Sequence, residues 1–160
     1  MKHRLLNMES RKRDSTWWPR YLSIAKQVST WSKDPSTQVG AVAVGTKGQI
    51  LAQGYNGYPR GMDDSNYEQR ELKYSRIVHA EMNCIYNASW NGVSLNEAYM
   101  FVYGMPVCHE CAKGIIQVGI QKVIVPYKTD VPDKWAISTE LTKAFLTEAG
   151  IDYEYTNYED

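Results

Sequence analysis

YMFVYGMPVCHECAKGIIQVGIQKVIV, residues Tyr99 to Val125, decides the fold. Tyr99-Met100-Phe101-Val102-Tyr103 is a short run of aromatic and β-branched residues stopped by Gly104 and Pro106, which reads as a strand. Cys108 to Val118 reads as a helix stopped by Gly119, and Lys122-Val123-Ile124-Val125 reads as a second strand stopped by Pro126. Strand, helix and strand in so few residues set the pattern for the rest of the chain.

Working outward, Thr139 to Ala149 reads as a helix with Gly150 as its stop, and Ile151 to Tyr155 as a last strand. Upstream, Val39 to Val44 and Gln49 to Gly54 are apolar runs around Gly45 to Gly48, which predicts a hairpin. Gly54 to Ser65 is dense in Gly, Pro, Asn and Asp and reads as a long loop, and Ile77 to Ser89 has a helical pattern. A first helix starts near Ser15 or Thr16, either of which could cap it, and ends before Lys33-Asp34-Pro35. Strands alternating with helices after an opening hairpin predict an α/β fold with one mixed sheet flanked by helices. The expected organisation is a polar N-terminal arm over 1–15, given no function, then a single domain over 16–155 and a short tail over 156–160.

The 160 residues carry 18 Lys plus Arg and 18 Asp plus Glu, so the formal net charge is zero. Dedicated nucleic-acid binders usually show a strongly basic face, so no polynucleotide partner is expected. No apolar run reaches the roughly 20 residues of a membrane span, and no membrane partner is expected. The first ten residues hold no apolar segment of the signal-peptide kind, which points to the cytoplasm. Three cysteines, Cys84, Cys108 and Cys111, do not resemble a secreted disulfide framework.

Two motifs carry chemistry: His79-Ala80-Glu81, and Cys108-His109-Glu110-Cys111. Cysteines three apart share a helix face, and at a helix start their sulfurs can point to one spot, where the helix dipole favours thiolate. His79 as a third ligand gives zinc two sulfurs and one nitrogen and leaves a fourth position open, the mark of a catalytic site. Zinc brings the pKa of a bound water to roughly 7. Glu81 is then the proton carrier, and because residues two apart do not share a helix face, His79 and Glu81 meet the metal only where the chain enters the helix. Three alternatives stand beside this reading. The C-x-x-C could be a redox pair. A closed structural zinc site would need His109 or Cys84 as fourth ligand. The chain could also be a zinc-stabilised binding protein without catalysis. Cys84 by itself reads as core.

H-x-E followed by P-C-x-x-C is the zinc-deaminase signature. The chain resembles the deoxycytidylate (dCMP) deaminase family of the cytidine deaminase-like superfamily from about Trp31 to Gly150. The likeness is carried by Ser32 to Ala41, Gly54-Tyr55-Asn56-Gly57, His79 to Asn83, and Cys108 to Ile120. It departs in one place, since Val107 stands where the family usually has proline and Pro106 is displaced by one. The resemblance implies a three-layer α/β/α fold with a five-stranded mixed sheet, and zinc, one ion per chain, held by His79, Cys108 and Cys111 beside the catalytic Glu81. It implies deamination of dCMP to dUMP with release of ammonia, with the same chemistry on another nucleotide, a nucleoside or a base as the alternative. Asn56 is implied to bind sugar or base, the backbone at Ala80 to fix the pyrimidine, and Tyr127 to close over the phosphate. Phosphate needs charge-assisted donors, and Lys33, Arg60 and Arg70 are the basic residues in or near the recognisable loops, with Lys33 in the most specific block. Family members commonly form homo-oligomers, often hexamers.

Overall fold

A computed structural model describes residues 11–160. In chain order the elements are α1 (Trp18–Ser29), β1 (Gly40–Val44), β2 (Ile50–Tyr55), α2 (Arg70–Arg76), α3 (Ala80–Trp90), β3 (Tyr99–Tyr103), α4 (His109–Gln117), β4 (Lys122–Pro126), a 3-10 turn (Asp133–Trp135), α5 (Ala136–Glu148) and β5 (Asp152–Thr156). The strands form one open five-stranded sheet in the order β2-β1-β3-β4-β5. β1 runs antiparallel to β2 and β3, while β3, β4 and β5 are parallel, with α4 and α5 as the crossovers.

The central strands are buried on both faces, which is why they read as unbroken apolar runs. Period-two alternation sorts their side chains into two cores. Ala41, Ala43, Met100, Val102, Val123 and Val125 face α3, α4 and α5, whereas Val42, Val44, Phe101 and Ile124 face α1. The result is the three-layer α/β/α sandwich with a mixed five-stranded sheet. Leu22, Phe101 and Ile115 are fully buried, each contributing about 2 kcal/mol of apolar transfer. Gly54 on β2 has the Ala80 carbonyl and the Cys84 amide of α3 where a Cβ would stand. The absence of a side chain there lets the first turns of α3 lie directly on the sheet.

Several local expectations change. Neither Ser15 nor Thr16 caps α1. The helix begins at Trp18 with Pro19 in its first turn, and the Thr16 amide and hydroxyl donate to Asp14 instead. The helix predicted from Ile77 starts at Ala80, because Val78 bridges to Gly57 as extended chain and His79 is the extended N-cap. α2 falls in the stretch between Ser65 and Ile77 to which the sequence assigns no element, because its seven residues are too few to show apolar periodicity. Residues 11, 12, 14 and 15 of the N-terminal arm are exposed and Arg13 is half-buried, while the arm's first ten residues lie outside those described. Arg13 lies 4.0 Å over the Tyr99 ring and donates to the Glu97 carbonyl at 2.7 Å. At the other end, Thr156 closes β5, and the Asp160 carboxylate accepts from the Tyr103 hydroxyl and pairs with Lys26 at 3.0 Å. No helix among the described residues is long and apolar enough to cross a membrane.

Candidate metal centre and its cavity

His79 and Cys108 occupy equivalent places, each the extended N-cap residue of a helix that starts at the next residue. The starts of α3 and α4 therefore meet, and three donors converge between them. His79 Nδ1 lies 3.3 Å from Cys108 Sγ and 3.4 Å from Cys111 Sγ, and the three donor atoms lie within 4.8 Å of one another. The Cys111 amide donates to Cys108 Sγ at 3.4 Å, so the sulfur serves as the cap of α4 and takes the stabilisation a helix N-terminus gives to negative charge. All three cysteines are free thiols. Two thiols and one imidazole at this spacing suit zinc, and three protein donors leave a tetrahedral position open.

The closed-site alternatives do not assemble. His109 Nδ1 lies 2.9 Å from Ser138 Oγ. Cys84 is fully buried in the core, where desolvation pushes its thiol up to about 12. Among the described residues neither belongs to the donor cluster.

Charge in the cluster is shared unevenly. The Cys108 thiol is held well below its ordinary value by the hydrogen bond from Cys111 and by His79, although burial opposes this. The same Cys108 contact raises His79 to about 9, again against burial. Cys111, hydrogen-bonded to the Cys108 sulfur and buried, is pushed upward. Glu81, 3% exposed, sits in the first turn of α3, and desolvation pushes its carboxyl up to about 7 while His79 pulls the other way. A group with that value exchanges protons readily at neutral pH.

His79, Ala80, Glu81 and Cys108 line a cavity of about 880 Å³, within the range of small-molecule sites. Of the other residues named from sequence, Asn56 borders it, but its side-chain amide is committed to the backbone: Oδ1 accepts from the Val39 amide at 2.8 Å and Nδ2 donates to the Thr37 carbonyl at 2.9 Å. Tyr127 borders it with its ring stacked 5.6 Å from Tyr155. Arg70 also borders it. Two of the residues named from sequence lie elsewhere. Lys33 does not line the cavity, and instead reaches outward to Asp64 at 2.8 Å. Arg60 is likewise turned away, donating to Asn87 at 2.6 Å and lying over Trp90. Sequence reasoning missed Lys73 and Lys134, which both border the cavity. Lys73 is buried, 2.9 Å from Ser36 Oγ and 3.4 Å from Asp34 Oδ1, so the Asp34-Pro35-Ser36 segment was the available signal for a buried cation.

Residues 15–126 match the model of the cytidine and deoxycytidylate deaminase zinc-binding region. The chain belongs to the cytidine and deoxycytidylate deaminase family. It is 39% identical over 140 residues to the uncharacterized deaminase of the luxG 3′ region of Aliivibrio fischeri, spanning 86% of this chain and 92% of that one. It is 39% identical over 149 residues to the deoxycytidylate deaminase of mouse, spanning 88% and 79%. The dCMP deaminase of cyanophage S-TIM5 superposes with a TM-score of 0.71 at 25% identity, covering 89% of this deaminase and 99% of its own chain. The matched region holds His79, Glu81, Cys108 and Cys111 and ends before α5 and β5.

Proposed function

We propose that this chain deaminates dCMP to dUMP by hydrolysis, releasing ammonia, with zinc held by His79, Cys108 and Cys111. The observation that carries the reading is the meeting of those three donors beside the buried carboxyl of Glu81, at a cavity that His79, Glu81 and Cys108 line. Zinc, when bound, supplies a Lewis acid that acidifies water at the open position. Glu81 accepts a proton from the attacking water and returns it to the ring nitrogen of the pyrimidine; it then takes the remaining proton of the added hydroxyl and delivers it to the departing amine, leaving the carbonyl of the product. Its raised value suits these transfers, since both protonation states are populated near pH 7. Ala80, without a side chain beyond Cβ, leaves room for the base against the start of α3.

A phosphate on the substrate is favoured by cations of the cavity lining. Arg70, Lys73 and Lys134 border it and replace Lys33 and Arg60 as the cations for a nucleotide. Asn56 holds the 37–39 segment in place beside the substrate, and Tyr127 flanks the mouth. Among the described residues one sheet carries all the strands, which supports a single deaminase domain over 16–155. The free cysteines favour the cytoplasm, and the exposed Trp90 and Ile137 offer apolar surface for a homo-oligomer, a hexamer by the family resemblance. The test is ammonia release from dCMP, deoxycytidine and cytidine by the zinc-loaded protein. Preferential turnover of dCMP is expected, and equal rates on dCMP and deoxycytidine contradict phosphate recognition.

A further inference from the structure

Cys108 is gripped on both sides by residues from the far end of the chain. Val107 is fully buried and lies between β3 and α4, so its peptide groups need partners from outside any backbone ladder of its own. Its N–H donates to the Tyr153 hydroxyl of β5 at 3.1 Å, and its carbonyl accepts from the Thr142 hydroxyl of α5 at 2.9 Å. On the other side, the His109 amide donates to Ser138 Oγ at 3.1 Å, and His109 Nδ1 lies 2.9 Å from the same oxygen. One hydroxyl serves both contacts when it accepts from the amide and donates to an unprotonated Nδ1. Ser138 and Thr142 are four apart and so share one face of α5.

We propose that Ser138, Thr142 and Tyr153 form a positioning clamp that fixes the main chain on both sides of Cys108 and thereby sets the aim of its sulfur toward the metal. The inference rests on the reading of His79, Cys108 and Cys111 as the metal centre. The clamp lies wholly outside residues 15–126, the segment matched by the family model. It is also tied to Val107: the proline that the family usually carries there has no N–H, and could not donate to Tyr153. A thiolate on a loop between β3 and α4 has several rotamers and a flexible approach. Fixing the peptides before and after it removes that freedom ahead of metal binding, as outer hydrogen bonds do for metal ligands in general. Thr142 is fully buried, so its hydroxyl has no water as an alternative partner.

The test uses the full chain, with Cys108→Ala, Tyr153→Phe, Thr142→Val and Thr142→Ser. Zinc affinity is read by chelator competition, the thiolate-to-metal absorption is read after cobalt substitution, and thermal unfolding is followed in parallel. Tyr153→Phe and Thr142→Val are expected to weaken zinc by about tenfold each and to shift the cobalt spectrum, with Thr142→Ser returning both toward wild type. If wild type binds zinc far more tightly than Cys108→Ala while Tyr153→Phe and Thr142→Val keep wild-type affinity and spectrum, the clamp is overturned alone, even where their unfolding temperature falls. If wild type binds zinc no more tightly than Cys108→Ala, the metal centre is overturned and the clamp with it.

Discussion

The metal centre and the exposed rim of the cavity are built on opposite principles. On the metal side Ala80, Glu81, Cys108 and Cys111 are nearly or fully buried, and each donor hangs from a helix start or an anchored loop. On the rim, Tyr74 and Tyr127 are more than half exposed, and the cations sit on the short α2 and on the segment after β4. Chemistry that develops charge gains from fixed dipoles in a dry site, whereas a phosphate arriving from water gains from cations that remain partly solvated and adjustable. Lys73 joins the two: it borders the cavity like a rim cation but is buried against the buried Asp34 carboxylate like a core group.

If that division is right, Lys73 should behave as structure first. Lys73→Met leaves the buried Asp34 carboxylate without its cation and is expected to cost about 3 kcal/mol in denaturant unfolding. A loss near zero would make Lys73 an ordinary rim charge. Arg70 should behave as rim alone. Arg70→Ala is expected to raise the KM for dCMP about tenfold, the loss of a charge-assisted hydrogen bond worth about 1.5 kcal/mol, with deoxycytidine unaffected and stability unchanged. Equal effects on both substrates would place Arg70 away from the phosphate. Lys33, whose ion pair with Asp64 is exposed, belongs to neither side. Lys33→Ala should change stability by no more than about 0.5 kcal/mol and leave dCMP kinetics as they were, and a KM effect comparable to that of Arg70→Ala would restore Lys33 to the site.

What could be seen in the sequence follows the same division. His79, Glu81, Cys108 and Cys111 are legible because their geometry is local: cysteines three apart at a helix start, and a histidine and carboxylate two apart where the chain enters a helix. β3 and β4 are legible because strands buried on both faces leave unbroken apolar runs ended by glycine or proline. Nothing local distinguishes a lysine that turns to Asp64 from one that packs under Ser36, so the rim cations are not legible as a set. α2 is too short to show periodicity, and Lys73 on it goes unnamed although Arg70 is named. The clamp is the extreme case, since Thr142 and Tyr153 lie 35 and 46 residues from Val107. Only the sheet order, which lays β5 beside β4, brings them to the metal.

The central claim is that Glu81 moves protons for a reaction at a metal held by other residues. Glu81→Gln keeps the size of the side chain and removes its basicity. Measured on one preparation for zinc content and for dCMP turnover, it should retain zinc at the wild-type ratio and lose about a thousandfold in kcat. Turnover near the wild-type rate with zinc retained would contradict the account.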